Sequence, residues 1–264
     1  MTKLAANLSF LFTEAEFLDR FAAAAEAGFA EVEFMVPYAW SAQEVAERAR
    51  TAGVAIGLFN VPAGNWEGGE RGIAALPGRQ AEFRGGLELA LDYADALGCR
   101  SLHAMAGIVP EGGRDEAFAV FADNLRHAAD RAAERGIQIL IEPINDRVDI
   151  PGYLLTTSAA ALAVIDAVAH PNLRLQADLY HLQVMEGDLA RTLARAMPVI
   201  GRIQIADNPG RGEPGTGEIN YPWLLQHIAE LGYDEGIGCE YRPVAGTLAG
   251  LGWASPYLTS RRTA

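Results

Sequence analysis

Two glutamates stand out by where they sit. Glu142 ends the apolar run Ile139–Leu140–Ile141, and Glu240 ends Ile237–Gly238–Cys239. A carboxylate placed there is costly to bury without a partner. Either one alone could close a structural salt bridge. Taken with Asp178 and Gln204, carried by two further strand-like runs, they form a set of hard oxygen donors suited to Mg²⁺ or Mn²⁺. His181 follows Asp178 as D-x-x-H and could orient a substrate or donate a hydrogen bond to an oxyanion. His103 offers the same, though both are also compatible with plain rim histidines. Arg211, in NPGRGEPGTGEINY (residues 208–221), and Arg71, in GGERGIA (residues 68–74), would each bring a guanidinium fork to an anionic substrate, or be surface charges.

Composition narrows the chemistry. The chain has 264 residues, with 21 Lys plus Arg against 34 Asp plus Glu, a formal charge of −13. That argues against a binder of nucleic-acid backbone, which needs a basic footprint, but not against a small anion met by locally gathered arginines. The two cysteines, Cys99 and Cys239, make neither a disulfide framework nor a thiolate zinc site plausible. Lys3, near the N-terminus, is the sole lysine, which argues against Schiff-base catalysis from a core lysine. No H-E-x-x-H pattern occurs. The first twelve residues do not read as a signal peptide, and no run approaches the roughly 20 apolar residues of a membrane span. The expectation is a cytoplasmic protein with no membrane partner; a homo-oligomer is compatible with the sequence.

The candidate residues need elements to hold them. Helical patterns end at Gly28, Gly53, Gly98, Gly136 and Gly232, and each glycine precedes a β-rich run. These runs span residues 31–36, 54–60, 101–106, 137–143 and 236–241, and residues 5–12, 173–179 and 202–207 add three more, making eight. Between them lie helical stripes: Phe83, Leu87, Ala90, Leu91 and Ala94; Phe118, Ala122, Leu125, Ala129 and Ala132; Leu162, Ile165 and Val168; Leu224, Leu225, Ile228 and Leu231. Thr13 with Glu16, and Ser41 with Glu44, read as capping boxes. Alternating strand and helix with eight strands predicts a (β/α)₈ barrel over residues 1–264 as one domain, with its chemistry at the C-terminal strand ends. An open doubly wound sheet is disfavoured, because NLSFLFTE (residues 7–14) carries no phosphate-binding glycines. The long stretch at residues 61–78 would lie over the barrel mouth.

With these motifs in place, the sequence resembles the hydroxypyruvate isomerase family of xylose-isomerase-like barrels. The matching stretches are NLSFLF, EVEFMVPY, VPAGNWEGGERGIAALPGR, IEPIN, DIPGY, QADLYH, IQIADNPGRGEPGTGEINY and GCEYRP, spread over residues 7–243. The resemblance implies interconversion of hydroxypyruvate and 2-hydroxy-3-oxopropanoate (tartronate semialdehyde), with Glu142 and Glu240 as the proton-transfer pair. Related ketose 3-epimerases hold a divalent ion with Glu, Asp, His and Glu on the fifth to eighth strands. Here the corresponding positions are Glu142, Asp178, Gln204 and Glu240, with Gln204 replacing the histidine. The same likeness places His181 and Arg211 against substrate. A sister group, the 2-oxo-tetronate isomerases, is approached by LHAMAG (residues 102–107) and stays as an alternative, as does a ketose 3-epimerase. Two readings outside the isomerases are a non-catalytic sugar-acid binding protein and an abasic-site endonuclease of related fold. The endonuclease would call for more histidines and a different charge.

Overall fold

The computed structural model describes residues 2–259; Met1 and residues 260–264, the ends of the expected domain, lie outside the described residues. Eight parallel strands close into a barrel in sequence order: β1 (Lys3–Asn7), β2 (Glu31–Glu33), β3 (Ala55–Asn60), β4 (Ser101–His103), β5 (Gln138–Ile141), β6 (Leu173–Asp178), β7 (Ile200–Ile205) and β8 (Gly236–Cys239). All eight expected strands form, most of them shorter than the apolar run that announced them. Residues 104–106 leave the sheet after β4, and Ala106 instead pairs antiparallel with Gly72 of the long third loop.

The outer layer is α1 (Arg20–Glu26), α2 (Ala42–Ala52), α3 (Gln80–Leu97), α4 (Arg114–Ala133), α5 (Ser158–Val168), α6 (Leu179–Met185), α7 (Leu189–Ala196) and α8 (Tyr221–Glu230). The five helix-ending glycines all have positive φ, and Gly53 and Gly98 are themselves left-handed C-caps. In α3 the buried face is the expected one. In α4 it is rotated: Phe121 and Ala128 join Leu125, Ala129 and Ala132 on the buried face, and Phe118 is only half-buried. Ser41 and Glu44 form their capping box. Thr13 and Glu16 do not, since a 3₁₀ turn (Phe17–Asp19) precedes α1 and Glu16 makes no side-chain cap. Glu14 instead accepts hydrogen bonds from the backbone N–H (2.8 Å) and hydroxyl (3.2 Å) of Thr247. No helix among the described residues is long and apolar enough to cross a membrane.

The barrel interior is polar towards its C-terminal end. Asn7 is in register with Glu33, Asp178 with Gln204, and Gln176 with Arg202. Below the mouth, Arg202 donates to Glu33 Oε2 from Nε (2.8 Å) and Nη2 (2.6 Å), and to Glu31 from Nη1 (2.6 Å). Gly238 makes this ionic layer fit: a Cβ there would stand 2.2 Å from Glu33 Oε1.

Candidate functional site

The strand ends open into a cavity of about 250 Å³, lined by His103, Glu142, Gln176, His181, Gln204, Arg211 and Glu240, with Trp66, Arg71 and Arg242 among the residues nearer solvent. All eight residues singled out from the sequence border it except Asp178, which lies fully buried beside His181.

Asp178 ends β6 and caps α6. Its Oδ1 accepts from the N–H of Tyr180 (2.8 Å) and His181 (3.4 Å), and its Oδ2 has no hydrogen-bond partner. Glu142 lies just past β5. Its Oε2 accepts from Gln176 (2.9 Å), while the buried Oε1 is likewise unpartnered. Glu142, Asp178 and His181 bring potential ligand atoms within 4.8 Å of one another. Two buried carboxylate oxygens without a hydrogen bond so close together suit a divalent cation.

Gln204 and Glu240 are arranged differently. Gln204 Nε2 donates to Glu240 Oε2 (2.7 Å) and Glu33 Oε1 (2.6 Å), and its Oε1 accepts from Gln176 Nε2 (2.6 Å). Two amides therefore link Glu142 to Glu240 across β5–β8. Asn7 adds a donor to the same Glu240 oxygen at 2.9 Å, and Arg211 Nη2 holds the other at 2.6 Å. Burial first, then the charges of Glu240 and Asp178, push Glu142 well above the usual carboxylate range. Burial also lifts Glu240, to about 8, although Arg211 pulls the other way.

Arg211 reaches the site from the loop after β7. Asp207 folds that loop by accepting N–H bonds from Asn208, Gly215, Gly217 and Ile219 at 2.8–3.0 Å. Arg211 itself takes a left-handed φ of 53°. Its guanidinium is buried between Phe10 and Tyr180 and pairs with Asp149 (2.9 Å) as well as Glu240. Burial opposes its charge, but the carboxylates of Glu240, Asp178 and Asp149 outweigh that and raise its pKa. Expected at the mouth, Arg211 is an internal counter-ion.

The imidazole of His181 has a definite tautomer. Asn145 Oδ1 accepts the N–H of Val148 and of Asp149, each at 3.0 Å, so its Nδ2 faces Asp149 Oδ2 (2.7 Å) and His181 Nδ1 (2.7 Å). Nδ1 is thus an acceptor, and the hydrogen of the neutral ring sits on Nε2. Burial depresses His181 to about 4 and His103 to about 3, so both are neutral at pH 7. His181 Nε2 faces Arg211 Nη2 (3.4 Å), Asp178 (3.6 Å) and Glu142 (3.8 Å) at the edge of the cavity. His103 Nδ1 lies 3.6 Å from Glu142, and its Nε2 has no partner. Arg71 packs over Trp66 (4.1 Å) in the third loop.

Sequence reasoning missed Asp149, Asn145, Gln176, Arg202 and Arg242. Gln176 and Arg202 each stand two residues before an expected site residue on the same strand, so strand alternation carries a signal for them. Asn145 and Asp149 sit in the irregular loop after β5, where no periodicity marks them.

The family model described as "Xylose isomerase-like TIM barrel" matches residues 21–257. The chain is 50% identical over 259 residues to the 2-oxo-tetronate isomerase of Cupriavidus necator, covering 98% of this chain and 99% of that one. It is 47% identical over 258 residues to the hydroxypyruvate isomerase of Escherichia coli, covering 97% and 100%. A crystal structure from Brucella melitensis, titled as an AP endonuclease of family 2, superposes with a TM-score of 0.96 at 44% identity, covering 98% of this chain and all of that one.

Proposed function

This chain belongs to the xylose isomerase-like TIM barrel family, and from that premise we propose that it is an isomerase interconverting hydroxypyruvate and 2-hydroxy-3-oxopropanoate through an enediolate. The observation that carries the reading is the pair Glu142 and Glu240. Both border one cavity, both have their pKa raised by burial, and two glutamine amides link them. A carboxyl group tuned upward toward the working pH is suited to accept and return a proton. One glutamate takes the proton from C3 of hydroxypyruvate and its partner helps return one to C2, while the hydroxyl proton passes between the two oxygens. His181 Nε2–H stabilises the developing oxyanion, and Asn145 keeps that hydrogen in place. Glu142 and Asp178 would hold Mg²⁺ or Mn²⁺, which would supply Lewis acidity toward the adjacent substrate oxygens. His181 is not counted with them, because ligation through Nε2 would put a hydrogen on Nδ1, against the Asn145 amide.

The Cupriavidus relative favours a second substrate, a four-carbon 2-oxo-tetronate, handled by the same groups. An endonuclease reading has little support, since the chain's net charge is −13 and the cavity floor is acidic.

Turnover of hydroxypyruvate in D₂O, followed by proton NMR, tests the mechanism. Deuterium should appear at C2 of the product. Glu142→Gln and Glu240→Gln should each lose at least about 100-fold in kcat, with bound metal measured on the same samples. A variant that keeps both its metal and near-wild-type turnover would remove that glutamate from the mechanism.

A further inference from the structure

The cavity is graded in charge from floor to lip. At the floor Glu142, Asp178, Asp149 and Glu240 surround a single guanidinium, that of Arg211, whose Nη1 and Nη2 are already committed to Asp149 and Glu240. An anionic substrate group gains little from Arg211 there and meets an excess of carboxylates. Two other arginines line the same cavity closer to solvent: Arg71, half-buried, and Arg242, exposed. Neither forms an ion pair among the described residues. The acid next to Arg71, Glu70, is taken up by Arg79 at 2.6 Å. Arg71 lines the cavity and is held by Trp66 and by Nη1 bonds to the carbonyls of Trp66 (3.0 Å) and Glu70 (2.7 Å). Arg242 is placed by its backbone N–H, which donates to the carbonyl of Arg211 at 2.7 Å and ties the loop after β8 to the loop after β7.

We infer that the carboxylate of the substrate is read at the lip by Arg71 and Arg242, while Arg211 serves as the counter-ion of Glu240 and Asp149. The inference rests on the isomerase reading for its substrate and adds an orientation: charged end toward solvent, reacting carbons toward Glu142 and Glu240. It also makes the cavity selective for hydroxy-oxo acids over neutral ketoses. A ketose offers the floor the same hydroxy-ketone but leaves both guanidinium forks unpaired.

Hydroxypyruvate and dihydroxyacetone differ only in carboxylate against hydroxymethyl, so they test the point directly. Arg71→Gln and Arg242→Gln should each raise KM for hydroxypyruvate about tenfold or more, as loss of a charge-assisted contact does, and narrow the preference for the acid over dihydroxyacetone. Melting temperature and Mn²⁺ content should not change. Arg242, being exposed, gives a variant expected to fold even if Arg71→Gln does not. Calorimetry with D-glycerate, which carries the carboxylate but no carbonyl, reads the same contacts without turnover. If wild type turns over no acid yet binds glycerate through these arginines, the isomerase reading falls and the lip site stands. If hydroxypyruvate is turned over but both variants keep wild-type KM and glycerate affinity, the lip assignment is wrong and the carboxylate binds at the floor.

Discussion

A carboxylate buried among carboxylates survives only if a proton or a cation comes with it. Without metal, burial pushes both Glu142 and Glu240 toward the protonated form, Glu240 to about 8 against the pull of its Arg211 counter-ion. A group that keeps its proton more tightly when folded stabilises the fold fully below its unfolded pKa, and this contribution is lost as pH rises through its folded one. The buried histidines act in the opposite sense but at lower pH. Depressed to about 3 and 4, they add stability as pH rises to about 6.5 and nothing further above it. Chelated protein should therefore melt at progressively lower temperature from pH 7 to 8.5, and saturating Mn²⁺ should raise Tm more at pH 8.5 than at pH 7. A Tm independent of pH across that interval, with and without Mn²⁺, would mean the glutamates are not protonated in the metal-free fold. At this scale the sequence is informative where an apolar run stops abruptly at an acid, which is how Glu142 and Glu240 are visible. It is silent on Asn145 and Asp149, whose contacts with His181, Tyr180 and Arg211 span 31 to 62 residues.

Strands and helices were legible because each repeats a periodic pattern several times, and their ends less so. The rim loops have no period at all, so their shape depends on single backbone contacts. The loop after β7 shows this best. Its turn is gathered on one carboxylate, Asp207, and Gly217 passes so close to the chain that a Cβ would sit 2.0 Å from the Asn208 carbonyl and 2.7 Å from Asp207 Oδ1. Gly210, in the same loop, has nothing within 4 Å of an added Cβ. Gly217→Ala should force the loop open, shift Arg211 and lower kcat/KM at least tenfold, at a stability cost of about 1–3 kcal/mol, typical of overpacking. Gly210→Ala should do neither. Steady-state kinetics and thermal melts on the pair check this. Equal behaviour of the two would show that the loop yields without disturbing Arg211.

At the scale of the whole molecule, what lies under the site is an ionic layer rather than stacked aliphatic side chains. Arg202→Met would strand Glu33 and Glu31, and removing one partner of a buried pair costs about 3–5 kcal/mol. Urea denaturation should show that loss, and replacing Glu33 by Leu in the same chain should recover part of it. The sequence discloses the barrel through its eight-fold alternation, but it cannot disclose this layer. A carboxylate on β2 and a guanidinium on β7 are 169 residues apart, and neither position announces the other.

That separation bears on how the chain reaches its fold. Glu33 and Asn7 come early in the chain, while their partners Arg202, Gln204 and Glu240 come in its last quarter. A half-barrel ending after β4 would have to bury Glu33 with its charge uncompensated, or keep the mouth of the nascent sheet wet. The first half therefore has little reason to close by itself. Contacts of such long range tie the two halves into one late, cooperative event, so a chain cut midway should be taken for unfolded by any protease it meets.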